Sequence, residues 1–361
     1  MNSRLVIGAQ VNAREPAELL PAKFNRHTFW CGQSGSGKTY ALGVVLEQLI
    51  AATRLPVVIL DPNSDFVRFH EARADTATEV ANLWAQRSVR VLGPTGHEPL
   101  TVRFIDLPMR SRAAIMQLDP VSEPESFNAA LRVSKQLQEY APVREQFDEW
   151  LRRDDDPDRR RFAMRLENLG TAEWDLWAWG DRDACDVIDE EHDATVLDLG
   201  AFREPGELKA AALAVLDHLW EQRDKRRPRL IVIDEAHNLC SPEPSTPVDR
   251  LLTERIVQIA AEGRKFGLWL VLSTQRPSKI HPNALSQCDN VAIMRMNAPN
   301  DLAALAEAFG FIPSELLAQA TDFGQGQAIF AGGFSPQPQR VQMGARITVE
   351  GGSDVDVPMR D

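Results

Sequence analysis

The stretch Thr28-Phe29-Trp30-Cys31-Gly32-Gln33-Ser34-Gly35-Ser36-Gly37-Lys38-Thr39-Tyr40 decides the fold. Thr28 to Cys31 reads as a strand. Gly32 to Thr39 then satisfies the phosphate-loop spacing G-x-x-x-x-G-K-[ST] in full. Leu42, Val45, Leu46 and Leu49 follow at i, i+3, i+4 and i+7, the apolar stripe of a helix. Strand, glycine turn and helix in this order are the context the motif requires, and a chance lysine in a glycine-rich turn would lack one flank or the other. The glycines let backbone N–H groups turn inward around phosphate oxygens, and the helix presents its positive end to them. Lys38 is placed to reach β- and γ-phosphates, and the Thr39 hydroxyl to ligate Mg²⁺. The expected nucleotide-binding set is Gly32, Ser34, Gly35, Ser36, Gly37, Lys38, Thr39 and Tyr40, with ATP and Mg²⁺ as cofactors.

Outward from this loop, Val57–Leu60, Leu230–Ile233, Leu268–Leu272 and Val291–Met294 are unbroken apolar runs, as strands buried on both faces require. Helical stripes lie between them, at Leu208–Leu219, Leu252–Ile259 and Leu302–Phe309. The expected class is therefore α/β, a mostly parallel sheet. Residues 65–189 differ, being rich in charge and tryptophan and mostly helical in pattern from Arg112 to Asp181. They read as a helical insertion, with short strands expected at 89–92 and 101–105. The expected division is a lead-in at 1–25, a core of 26–64 and 190–335, the insertion at 65–189, and a strap with a disordered tail at 336–361.

The chain has 361 residues, 43% hydrophobic and 25% charged, a soluble globular composition that excludes wholesale disorder. No run approaches the ~18 apolar residues of a membrane helix, and MNSRLVIGAQ lacks the features of a signal peptide. The expected location is cytoplasmic, with no membrane partner. Cys31, Cys185, Cys240 and Cys288 form no CxxC pair, so reduced thiols are expected. A net charge of −12 argues against nucleic-acid binding over the whole surface, but not against a local basic channel.

Asp234 and Glu235 end the Leu230–Ile233 run. Beside a phosphate loop, an aspartate there holds the Mg²⁺ shell and the next glutamate polarises the attacking water. A helix-capping turn is the plainer alternative. Gln275, after the Leu268–Leu272 run, is the candidate γ-phosphate sensor, against a turn ended by Pro277. Asp61 either orients water at the same edge or starts a turn. On physics alone, Arg264 is a cation at a helix C-terminus complementing the dipole. The Glu173–Trp179 run reads as core packing, and Lys225–Arg229 as a solvated turn.

Taken together, RHTFWCGQSGSGKT, VVILDPNSDF, LIVIDEAHNL and AAEGRKFGLWLVLSTQRPSKIHPNALSQCDNVAIMRMNAPND resemble the HerA branch of the HerA/FtsK translocases. The resemblance spans about 20–61 and 190–350, and GRKFG…STQRPS…LSQC is its most specific part. It implies a RecA-like P-loop core, a homohexameric ring and ATP-driven movement of double-stranded DNA. It puts Lys38 and Thr39 in the Walker A roles, Asp234 and Glu235 in the Walker B roles, and Gln275 on the sensor glutamine. Arg264 falls on the family's trans-acting arginine, which reverses the physics-only reading. Arg26 matches another arginine implicated in subunit communication and joins the expected nucleotide-binding set, and Pro336–Gly352 matches a strap that reaches a neighbour. Two departures follow. HerA proteins usually carry an N-terminal barrel that docks a nuclease, and here the loop starts at residue 32. Ala261 also replaces a frequent arginine. A nuclease or defence effector is the expected partner, and an ATP-dependent scaffold without translocation the rival reading.

Overall fold

The computed structural model describes residues 4–352 apart from 12, 14, 141–146, 148, 152–155 and 181. The tail expected after residue 352 and part of the Arg152–Arg161 charge run lie outside the described residues. Twelve strands form one sheet: β1 (Leu5–Gln10), β2 (Pro16–Leu19), β3 (His27–Cys31), β4 (Val57–Asp61), β5 (Val89–Gly93), β6 (Glu98–Pro99), β7 (Ala194–Asp198), β8 (Arg229–Ile233), β9 (Leu268–Thr274), β10 (Cys288–Ile293), β11 (Gln327–Gly332) and β12 (Gln339–Met343). Their order is β2-β1-β12-β11-β10-β3-β9-β8-β4-β7-β5-β6. From β10 to β6 every pairing is parallel, and from β11 to β2 every pairing is antiparallel.

The central strands are apolar throughout because both faces are covered. Phe29, Leu60, Ile231 and Leu272 point to one core, with the helices Pro205–Glu221 and Pro247–Glu262. Trp30, Ile59, Val232 and Val271 point to the other, with the helix Lys38–Ala52. The alternation is the two-residue period of a strand. A third core joins the helices Met109–Ile115, Pro124–Tyr140 and Pro157–Leu169, all within the residues 65–189 expected as an insertion.

Within that region the strand expected at 89–92 is present as β5. The one expected at 101–105 is not. Val102 makes a single bridge to Trp177, and Phe104–Asp106 is a 3₁₀ turn whose Phe104 ring packs on Trp177. Trp174 and Trp177 stack at 5.7 Å, so the tryptophans there pack against each other. Arg229 is the first residue of β8, buried against Glu191 and the Ile188 carbonyl rather than solvated. All four cysteines are buried and free. Among the described residues no helix is long and apolar enough to cross a membrane.

The segment after β12 is fastened to the phosphate-loop helix through Glu47, which is fully buried. Its carboxylate accepts from the Ile347 N–H at 2.8 Å, the Thr348 N–H at 2.8 Å and the Thr348 hydroxyl at 2.6 Å. Arg346 lies buried beside it, 3.7 Å from Glu47 Oε1 and 3.2 Å from Glu350. A Cβ on Gly43 would stand 2.6 Å from the Arg346 guanidinium carbon, so glycine makes room for this crossing. Glu47→Ala would strand two backbone donors and the Thr348 hydroxyl, and leave the buried Arg346 with Glu350 as its carboxylate partner. A loss of about 3–5 kcal/mol is expected, read as a lower urea midpoint by tryptophan fluorescence. An unchanged midpoint would refute the fastening.

Candidate active site

Parallel strands bring their C-terminal ends to one edge, where open α/β sheets bind ligands. Cys31 is in register with Thr274 and with Ile293, and Leu60 with Ile233. The residues that follow these positions therefore meet: the loop Gly32–Gly37, Asp61, Asp234–Glu235, and Gln275. Gly35 and Gly37 have φ of 71° and 85°, left-handed values that side chains rarely adopt. They turn the loop into the helix that begins at Lys38.

Lys38 is 5% exposed, and its three N–H groups have three acceptors. Nζ is 2.6 Å from Asp234 Oδ1, 3.1 Å from Glu235 Oε1 and 3.0 Å from Ser273 Oγ. Burial works against its charge, but the carboxylates of Asp234 and Glu235 outweigh that and raise its pKa. Ser273 also donates to Asp234 Oδ1 at 2.6 Å. Glu235 has φ 42°, a left-handed value uncommon outside glycine, directly after its strand. Burial would raise its carboxyl pKa. The hydrogen bonds from His237 and Gln275 and the charge of Lys38 prevail, lowering it to about 2. Gln275 Nε2 donates to Glu235 Oε1 at 2.9 Å, so the candidate γ-phosphate sensor touches the glutamate expected to polarise water.

Three carboxylates crowd beside this cluster. Ligand atoms of Asp61, Asp65 and Asp234 all lie within 4.8 Å of one another. Asp61 accepts from the Asp65 and Phe66 N–H groups at 3.0 and 2.7 Å, so it is a turn former and also part of the acidic group. Burial raises its pKa to about 7, and burial with the nearby Asp234 charge raises that of Asp65 to about 6. Asp234 Oδ2 is buried with no hydrogen-bond partner, and the Thr39 hydroxyl is 3.4 Å from Asp65. An orphaned carboxylate oxygen, adjacent like charges and a hydroxyl form an oxygen-rich set that suits Mg²⁺. The residues fit the expected ion.

Sequence reasoning missed Asp65, Ser273 and His237. The DPNSD spacing was the available signal for Asp65, whose chain is turned back by Asp61. Tyr40, one of the expected nucleotide-binding residues, also reaches the strap. Its hydroxyl accepts from the Arg346 N–H at 2.8 Å, joining the strap to the loop helix. Arg26 and Arg264 do not reach this edge. Arg26 precedes β3, roughly 17 Å of strand from the loop, and Arg264 precedes β9. At that opposite edge both meet Asp289, Arg264 at 2.9 Å and Arg26 at 3.5 Å. In its own chain Arg26 is therefore not a nucleotide contact.

A sheet of this order with a phosphate loop and strand-end carboxylates has the RecA-like P-loop fold. The profile described as "Helicase HerA, central domain" matches residues 5–216, and the chain belongs to that family. It is 32% identical over 151 residues to the probable helicase MJECL08 of Methanocaldococcus jannaschii, covering 41% of this chain and 28% of that protein. To the DNA double-strand break repair helicase HerA of Sulfurisphaera tokodaii it is 33% identical over 134 residues, covering 36% and 26%. The alignments thus span little more than a quarter of either relative. VirB4 of Thermoanaerobacter pseudethanolicus superposes with a TM-score of 0.65 at 14% identity, over 96% of this chain and 97% of that one. The bacterial conjugative coupling protein TrwB superposes with a TM-score of 0.62 at 12% identity, over 95% and 90%. Both share the fold.

The opposite edge carries its own test. His27 is fully buried and accepts from the Leu270 N–H at 2.9 Å through Nδ1. Burial, then the charges of Arg264 and Arg26, lower its pKa from 6.5 to about 4. The unfolded imidazole takes its proton below about pH 6.5 and the native one only near 4. His27 therefore favours the folded state above 6.5, and this is lost as pH falls, by roughly 3 kcal/mol at pH 4. Denaturant midpoints measured from pH 7 to 4 are expected to fall less steeply in His27→Gln than in the natural chain.

Proposed function

We propose that this chain is the motor core of a homohexameric ring that hydrolyses Mg·ATP between subunits and moves double-stranded DNA. In this reading residues 26–64 and 190–335 form the core and 65–189 the insertion. Support comes from family membership and from one geometric observation above all. The Lys38–Asp234–Glu235–Gln275 cluster occupies one edge of the sheet, while Arg264 and Arg26 occupy the other. A cation at the far edge serves a site only by entering the site of an adjacent copy, where it neutralises transition-state charge.

Thr39, Asp234 and Asp65 would hold Mg²⁺, which supplies charge neutralisation to the phosphates. Lys38 exchanges its carboxylate partners for phosphate oxygens as the nucleotide enters the loop. Glu235, kept ionised by its neighbours, accepts a hydrogen bond from the attacking water, and Gln275 fixes the orientation of that carboxylate. DNA would contact loops that follow Asp61, Glu235 or the exposed Arg276–Lys279 turn. A nuclease or a defence effector is the proposed partner. A second reading, an ATP-dependent scaffold that activates such an effector without translocation, draws on the net charge of −12, which disfavours DNA retention.

Steady-state ATP hydrolysis at low salt, with and without linear double-stranded DNA, separates the two. The motor reading expects stimulation by DNA that is lost in Glu235→Gln, which should bind ATP yet turn over at least ~100-fold more slowly. Turnover indifferent to DNA favours the scaffold. Lys38→Ala and Arg264→Ala should each be inactive alone, and mixing them should restore part of the activity. Complementation requires that one subunit's lysine work with its neighbour's arginine. No recovery from a ring shown to contain both chains would sink the trans assignment.

A further inference from the structure

Lys38 is not the only cation on the phosphate loop. Beyond β10 the chain continues through Met294 to Arg295, and its backbone is bound to the loop. The Met294 N–H donates to the Cys31 carbonyl at 2.8 Å, and the Gln33 N–H to the Arg295 carbonyl at 2.9 Å. A Cβ on Gly32 would stand 2.7 Å from the Met294 side chain, which fixes how closely the two segments approach. The Arg295 side chain folds back over the loop. Its Nη2 lies 3.4 Å from the Gly35 carbonyl, and a Cβ on Gly35 would face that nitrogen at 3.9 Å.

The electrostatic state of this guanidinium differs from that of Lys38. Lys38 is neutralised by two carboxylates. Arg295 has no ion pair among the described residues, its one hydrogen bond is long, and its Nε is buried without a partner. Desolvating a donor without satisfying it is costly. An anion with several oxygens recovers that cost, and the planar fork of arginine suits such an anion better than a carbonyl does. The polyanion expected at this loop is the phosphate chain of a nucleotide.

Position in the sheet says which phosphates. β10 flanks β3 on one side, and β9 and β8 lie on the other. Ser273, Asp234 and Glu235 therefore stand on the flank away from Arg295. The γ-phosphate must approach Glu235 and Gln275 for the water held there to attack it, which leaves the α/β end of the chain toward β10. We infer that Arg295 is an in-cis ligand for the α- and β-phosphates, which ATP and ADP share, and sets nucleotide affinity rather than the hydrolytic step. The inference rests on the nucleotide-binding reading above and deepens it.

Equilibrium titrations of fluorescent ATP and ADP analogues into the full chain test it, with Lys38→Ala as reference. Arg295→Ala should weaken ATP and ADP by the same factor, roughly 10- to 100-fold. Arg295→Lys should recover part of the loss, because it keeps the charge and gives up the fork. Turnover at saturating ATP should fall by a smaller factor than the affinity does, since Glu235, Gln275 and Lys38 are untouched and the arginine binds ground state and transition state alike at the α-phosphate. Thermal melts verify folding, and Arg295→Met, which keeps the packed stem, replaces the alanine variant should that one melt early. Natural affinity in the folded variant while Lys38→Ala has lost binding overturns the inference, as does weakening of ATP alone. If the natural chain binds neither nucleotide, the underlying reading is what fails.

Discussion

Everything at the phosphate-loop edge depends on one buried contact, the 2.6 Å pair between Lys38 Nζ and Asp234 Oδ1. Neither group is tolerable there alone, because an unpaired charge at such depth costs several kcal/mol. The pair also ties together residues 196 positions apart. It forms only if β3, β9 and β8 are in their observed register, since β9 stands between the strands that carry the two partners. Ser273 sits on that intervening strand and binds both ends of the pair, so the three strand ends are locked to each other by polar contacts. A slip of one residue would turn Ser273 into a helix layer and leave the charges unmatched.

That lock is saturated at the lysine and incomplete at the aspartate. Lys38 has used all three donors, whereas Asp234 Oδ2 has no partner and faces two further carboxylates. The site is thus preloaded with excess negative charge on the metal side, and Arg295, a cation with no ion pair among the described residues, lies on the opposite flank. A ligand that brings a divalent cation to the first flank and oxygens to the second relieves both imbalances together. Magnesium-bound nucleotide has this charge pattern, whereas a free cation or a free anion relieves only one.

The sheet and its edge were legible in the sequence because their signals are local. Continuous apolar runs ending in Asp61, Asp234 and Thr274 mark double-sided strands and their carboxyl ends, and Gly35 and Gly37 announce the left-handed turn. Features that required two distant segments were not legible. Asp289 joins Arg26 and Arg264 only because β10 and β3 are neighbours, and Arg295 reaches Gly35 for the same reason. Glu47 looks like an exposed polar residue on a helix stripe, and only the returning strap explains its burial. At Val102 the β-branched pattern suggested a strand, but the Phe104–Trp177 ring contact won over propensity, as tertiary packing commonly does.

The strap gives the two ends of this sheet different characters. Glu47 and Arg346 fix the C-terminal segment to the helix that begins at Lys38, and Tyr40 adds a hydroxyl contact two residues from the lysine. The phosphate-loop edge is therefore held by backbone hydrogen bonds and buried charge, rigid enough to keep the loop open for a ligand. At the far edge, Arg26, Arg264 and Asp289 form ion pairs that are each more than a third exposed. Such pairs contribute little stability and exchange partners readily. In the proposed ring, a subunit that held its own nucleotide firmly while its arginines answered to a neighbour would need this asymmetry, with the rigid contacts at one edge and the exchangeable ones at the other.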